Sequence, residues 1–351
     1  MTSSQTEWSE HELLESHRYA EPLHAGGLRC HGGFDDDGRY VSPRTVHRVP
    51  AIEAWEAARA EAFGTPQFDI PLDRWPQPVP NVAQAKFLIA NGVPGPIIST
   101  LTRIGTVEGF GGFIRTLPIP DLSRCFDEDV RGTAMAHLER GLYEAHARDE
   151  AGFEDEGGHK DMWFAARDVA FERPVDDGQV LEMLQRMGFS RPGGGTAAAP
   201  PPRLLPDDVD ADLEGLIEFM ARLLLIEISA FHTFAWAEEV LSDTGLVAGD
   251  GEAARLVSYI RSDETPHVAY LKTTLSEMRD RTFLGSSGRR YAGNELVGRI
   301  WDRAVGESLG ARREANVTLA LSEVDHALDG HPRRADLLAE FHSLATPEVA
   351  A

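Results

Sequence analysis

Glu-x-x-His occurs twice in this chain, as Glu156-Gly-Gly-His159 and Glu264-Thr-Pro-His267. On a helix, residues three apart share a face, so each motif would aim a carboxylate and an imidazole at one point. A single copy has little specificity. Two copies gain meaning from the patterning around them. A helix is predicted over about 129–150, then a turn at AGFEDEGG, then a second helix to about Phe171. Ser190–Asp208 is rich in Pro, Gly and Ala and reads as a linker. One long helix is predicted over 208–243. The connection LSDTGLVAGDGE follows, then a helix from about 252 to 281. Residues 127–281 therefore divide into two helical hairpins, with Glu-x-x-His in the second helix of each, and supply the helices a bundle needs.

The first helix of each hairpin should add a carboxylate. Glu227 meets that demand, lying among Leu223, Leu224, Ala230 and Phe231 at helical spacing. A carboxylate on an apolar stripe is costly unless paired, protonated or metal-bound. Glu227 also stands nearly as far before its connection as Glu264 stands after it. Val257, Ile260, Val268 and Leu271 flank Glu264, and Pro266 implies either a kink or a helix restart near Ser262. In the first hairpin Glu139, Glu144 and Glu150 compete. The stripe Met135, Leu138, Leu142 and Ala145 favours Glu139, whereas height along the hairpin favours Glu144. We take Glu144 as the expected ligand and Glu139 as its rival, with Glu150 or Glu128 next in line. His146, on the Glu139 face, is an extra ligand or a hydrogen-bonded core histidine. The expected metal set is thus Glu144, Glu156, His159, Glu227, Glu264 and His267. Carboxylates with imidazoles suit iron or manganese, so two iron ions are expected, with manganese or a mixed pair as alternatives.

In context, YIRSDETPHVAYLKTTLSEM resembles a helix of the soluble acyl-carrier-protein desaturases, within the ferritin-like di-iron carboxylate superfamily. Asp263 precedes Glu264, and Ala269-Tyr270 follow His267 as in that family. The resemblance covers residues 127–281. It implies a mainly α, ferritin-like four-helix bundle, with Glu156 and Glu264 as bridging carboxylates and His159 and His267 as one ligand per metal. Glu227 and Glu144 (or Glu139) would be terminal carboxylates. The implied activity is an O2-dependent di-iron oxidoreductase that hydroxylates, desaturates or N-oxygenates a small organic or acyl substrate, with an electron donor as partner. Tyr270 would be a redox partner of the metals or a packing residue. The first Glu sits closer to Glu156 than in that family, and the N-terminal zone does not resemble the desaturases. Glu139-x6-His146 is similar to the first ligand pair of haem-oxygenase-like di-iron oxidases. Those carry a further His one turn before the last acid-x-x-His, where this chain has Ile260. The alternative functions are ferritin-like iron binding or storage, and a haem-oxygenase-like di-iron oxidase.

The formal net charge of -23 disfavours non-specific nucleic-acid binding and repels anionic membrane. The most apolar run, Leu223–Ala237, is interrupted by Glu227 and His232 and is too short to span a bilayer. With no secretory signal visible, a cytoplasmic protein is expected, with homodimerisation open. Cys30 and Cys125 form no CxxC and read as reduced thiols. Residues 1–126 are rich in Gly and Pro and read as an irregular region, with helices at Ala51–Ala62 and Val82–Ala90 and a short hairpin in GGFDDDGRYVSPRTV. His24, His31 and His47 there read as scattered surface histidines, and Asp35-Asp36-Asp37 as a solvated turn. Residues 282–351 read as packing helices, including Asn294–Gly306 and Arg312–Asp329. Leu223, Leu224, Phe231 and Phe234 are candidate cavity walls.

Overall fold

The computed structural model describes residues 5–68, 75–176, 178 and 202–345, so most of the Ser190–Asp208 linker lies outside the described residues. The protein is mainly helical. Near the N-terminus a one-turn helix α1 (Glu10–Leu13) precedes an antiparallel sheet of β1 (Glu21–Ala25), β2 (Leu28–Phe34) and β3 (Tyr40–Val41), in the order β1-β2-β3. Helices α2 (Arg48–Phe63), α3 (Val82–Ala90) and α4 (Gly95–Phe110) follow. Next come α5 (Tyr143–Ala151), α6 (His159–Phe171), α7 (Ala211–Leu241) and α8 (Glu252–Arg279). A small hairpin, β4 (Thr282–Leu284) with β5 (Arg290–Ala292), leads to α9 (Gly293–Glu307), α10 (Arg313–Ala327) and α11 (Arg334–Ser343).

Helices α7 and α8 form the central pair. Asp210 caps α7 by accepting from the Asp212 amide, and Asp212 and Glu214 place negative charge at the positive helix end. Pro266 lies inside α8, which runs on from Glu252 to Arg279 without restarting at Ser262. Helix α6 packs against both α8 and α4. Helix α4, which begins upstream of residue 127, is therefore part of the helical core. Its approach to α6 depends on Gly105, where a Cβ would fall 2.9 Å from Trp163 Cβ.

The helix predicted over 129–150 is broken. Arg140 and Gly141 leave helical geometry, Gly141 at φ 134°, and regular α-helix begins only at Tyr143. A side chain at position 141 would be strained at that φ and would meet Leu13 at 2.9 Å.

The apolar core has two large parts. Leu216, Ile217, Leu224 and Ile228 of α7 join Tyr270, Leu271 and Leu275 of α8 in one. Phe234, Ala237 and Val240 of α7 join Val257 and Ile260 of α8, with Trp163 of α6, in the other. Glu227, Glu264 and His267 fall near the seam between them. His146, Glu150, Glu227, Glu264 and His267 are all buried.

Candidate metal centre

Glu150, at the end of α5, has an Oε1 with no hydrogen-bond partner. It lies 3.3 Å from His159 Nδ1, 3.4 Å from His267 Nδ1 and 3.6 Å from His146 Nε2. Glu264 faces the same space from α8. Its Oε1 is 3.0 Å from His159 Nδ1 and its Oε2 is 2.7 Å from His267 Nδ1. Glu108 of α4 approaches His159 Nδ1 at 3.6 Å, and Glu227 of α7 approaches His146 Nε2 at 3.4 Å. Potential ligand atoms of His146, Glu150, Glu227 and His267 lie within 4.8 Å of one another, as do those of Glu108, Glu150, His159 and Glu264. Glu150 belongs to both groups.

Behind the imidazoles stand two aspartates, each directly before a central glutamate in sequence. Asp149 Oδ2 lies 2.9 Å from His267 Nε2. Asp263 Oδ2 lies 3.6 Å from His159 Nε2, an ion-pair distance longer than a hydrogen bond. The support crosses over: the aspartate beside Glu150 backs the histidine of α8, and the aspartate beside Glu264 backs the histidine of α6. An acidic partner behind a ligating imidazole fixes its tautomer and raises its basicity. His31, Asp263 and His159 form a third buried group, which this backing accounts for.

Without an ion, the cluster balances its buried charges with protons. Burial, reinforced by Glu150, pushes the Glu108 carboxyl well above the usual range. Burial, then Glu264 and Glu150, does the same to Glu227. Burial opposes charge on His159 and His267, but the surrounding carboxylates, Glu264 first, raise both well above the ordinary imidazole value. His146, by contrast, is held down to about 3 by burial and by the neighbouring His267. Four carboxylates and a neutral imidazole around one buried space are a donor set that divalent ions would satisfy.

Several sequence expectations need correction. Glu156 is not helical. Residues 152–158 form a tight turn in which Phe153 and Glu156 exchange backbone hydrogen bonds. Gly157 then pairs with β2, through the His31 amide to its carbonyl and its own amide to the Arg29 carbonyl. Glu156 and His159 consequently share no helix face, and Glu156 instead accepts from Arg29 at 2.8 Å. Glu144 points away from the cluster, accepting from Arg148 at 2.7 Å and facing Arg115 at 3.3 Å. Glu139 is exposed on the distorted stretch before α5. Glu128 accepts from the Thr282 amide and hydroxyl. His31 is no surface histidine: it is 1% exposed. His146, His159, Glu227, Glu264 and His267 do converge. Tyr270 reaches them through His146, whose Nδ1 is 3.0 Å from its hydroxyl. Leu224 and Phe234 are core residues, whereas Leu223 and Phe231 are half-buried.

Sequence reasoning missed Glu108. Its signal was present, because Ile97, Leu101 and Ile104 lead to position 108 at helical spacing. The better mate of Glu264 was also legible, since Asp149-Glu150 repeats the dipeptide Asp263-Glu264.

No protein-family model matches the chain, and no curated protein or solved structure matches it. Among the described residues, no helix is long and apolar enough to cross a membrane.

Proposed function

We propose that this cluster binds two divalent transition-metal ions, iron foremost, and that the protein is an O2-dependent oxidoreductase acting on a small organic or acyl substrate. The observation that carries the reading is the pair of Asp-Glu dipeptides whose glutamates share one space while each aspartate backs the opposite histidine. Glu150 and Glu264 would both be ligands. Glu108 and His159 would complete one position, and Glu227, His267 and His146 the other. A glutamate from each of α4 and α7, with a glutamate and a histidine from each of the other two helical segments, supports a ferritin-like arrangement.

A bound Fe(II) pair supplies the electrons for reducing O2. The chain's own residues bind and orient the ions, exclude water and hold protons. Glu108 and Glu227, with side chains 11% and 6% exposed, are the most accessible of the four carboxylates. The acidic surface is also compatible with iron storage, and light scattering separates the readings: a large closed shell favours storage, a monomer or dimer the enzyme.

The test is anaerobic loading with Fe(II), metal analysis and an absorbance record on exposure to O2. The reading expects about two ions per chain and an O2-dependent spectral change. Failure to retain iron, or retention with no O2 reactivity, would overturn it.

A further inference from the structure

The cluster's outer face is built by the N-terminal segment 28–48, to which the sequence assigned no role. Arg48, fully buried in the first turn of α2, puts Nη1 2.7 Å from Asp149 Oδ2. Arg44 donates through Nε to Asp149 Oδ1 at 2.7 Å and pairs with it again through Nη2. The other aspartate is met from the sheet. His31 of β2 lies 3.1 Å from Asp263 Oδ2 through Nε2, and the Tyr40 hydroxyl donates to the same oxygen at 2.8 Å. Arg44 Nη2 lies 3.4 Å from His31 Nδ1, joining the two sides. Arg44 adopts a left-handed backbone, φ 52°, uncommon outside glycine, and its paired guanidinium is what the surroundings hold there.

We infer that segment 28–48 is a working part of the metal centre: Arg44 and Arg48 position His267 through Asp149, while His31 and Tyr40 position His159 through Asp263. This rests on the di-metal reading above. His31 is a fixed tautomer here, accepting from Arg44 at Nδ1 and donating to Asp263 from Nε2.

The two supports differ in charge. Asp149 faces two guanidiniums, those of Arg44 and Arg48. Asp263 faces His31 and Tyr40 instead, with no guanidinium paired to it among the described residues. A carboxylate whose charge is offset by cations draws less on an imidazole N–H than one met by a neutral ring and a phenol. The two metal positions should therefore answer to different residues of the N-terminal segment.

Anaerobic titration with Co(II), followed by its d–d absorption, tests this. His159→Ala and His267→Ala identify which binding event belongs to which position. Tyr40→Phe and His31→Ala should weaken the His159 event about 10–100-fold and leave the other nearly unchanged. Arg48→Met should do the reverse, and Arg48→Lys should recover most of the loss. Equal weakening of both events, or no change in either, overturns the inference while the di-metal reading stands. A wild-type protein that takes up no pair of ions overturns both. Circular dichroism melts guard against misfolding. Should Arg48→Met fail to fold, Tyr40→Phe still decides, because it removes one hydroxyl only.

Discussion

The two halves of the candidate centre carry the same groups in different chain geometry. In α8, Asp263, Glu264 and His267 lie on one unbroken helix, with the histidine three residues after the glutamate. In the other half, Asp149 and Glu150 end α5, and their histidine is His159, the first residue of α6. Gly152, at φ 82°, closes α5, and the turn at 152–158 is stitched to β2 before the chain becomes helical again. The halves reach similar positions because a tertiary contact with the sheet replaces what helical periodicity does in α8. The lesson is that a spacing rule such as Glu-x-x-His has meaning only where the residues are helical. Glu156 matches the spacing and still turns outward to Arg29.

The sharpest way to break this comparison is to remove the paired glutamates. Glu150→Ala and Glu264→Ala should each lower iron from about two ions per chain to less than about one, since each removes a shared anionic ligand. Glu156→Ala should leave uptake unchanged. Elemental analysis after anaerobic loading and desalting is the measurement. Normal uptake by Glu150→Ala, or loss in Glu156→Ala, would reverse the assignment of the first half.

The next effect concerns the histidines. His159→Ala should abolish one of two binding events. Adding Phe153→His, which rebuilds the contiguous spacing after Glu150, should not restore it. Position 153 follows the left-handed Gly152 and pairs with Glu156, so its side chain does not continue the face of α5. Recovery of the lost event would mean that α5 extends in solution and that the two halves are more alike than described here.

What could be read from the sequence follows the same division. In the α7–α8 half, long periodic runs gave helices close to those observed, and Glu227, Glu264 and His267 stood out on or beside apolar stripes. The mainly helical character followed from the same runs. In the other half, the carboxylates singled out, Glu144 and Glu156, lie outside the cluster, which holds Glu108 and Glu150. Gly141 and the 152–158 turn interrupt what composition suggests is continuous helix, and the turn owes its shape to pairing with β2, far away in sequence. Helix α4 was overlooked because glycines thin its apolar pattern. Those glycines are where it needs close approach: at Gly111, just beyond its end, a Cβ would fall 2.3 Å from Glu150 Cγ. Polar contacts such as Arg48 to Asp149 are non-local and leave no periodic trace.

Gly111 offers a smaller and subtler perturbation. Its backbone, φ -54°, accepts any residue, so Gly111→Ala acts through the overlap with Glu150 alone. The glutamate must move, and we expect metal affinity to fall about tenfold or more. Overpacking should also cost about 1–3 kcal/mol in denaturant unfolding. The α8 half offers no such change, because no described glycine has Glu264 among its nearest neighbours. Unaltered affinity would show that Glu150 has room to spare.

The smallest effects should come from the two carboxylates that the first-helix pattern favoured. Glu139 is exposed, and Glu144 sits in a partly exposed cluster with Arg148 and Arg115. Exposed pairs of this kind contribute up to about 1 kcal/mol, because water and salt screen them. Glu144→Ala and Glu139→Ala should therefore change stability by no more than about that much and leave both metal-binding events in place. Glu108→Ala is the matched control. Its carboxyl belongs to the group formed with Glu150, His159 and Glu264, so its loss should weaken the His159 event selectively. The first-half carboxylate then comes from α4, a helix preceding the hairpin that seemed to hold it. If Glu144→Ala weakened metal binding as much as Glu108→Ala, α5 would have to rotate in solution to bring Glu144 inward. The rotation would carry Glu150 out, and the two halves would no longer be equivalent in any sense.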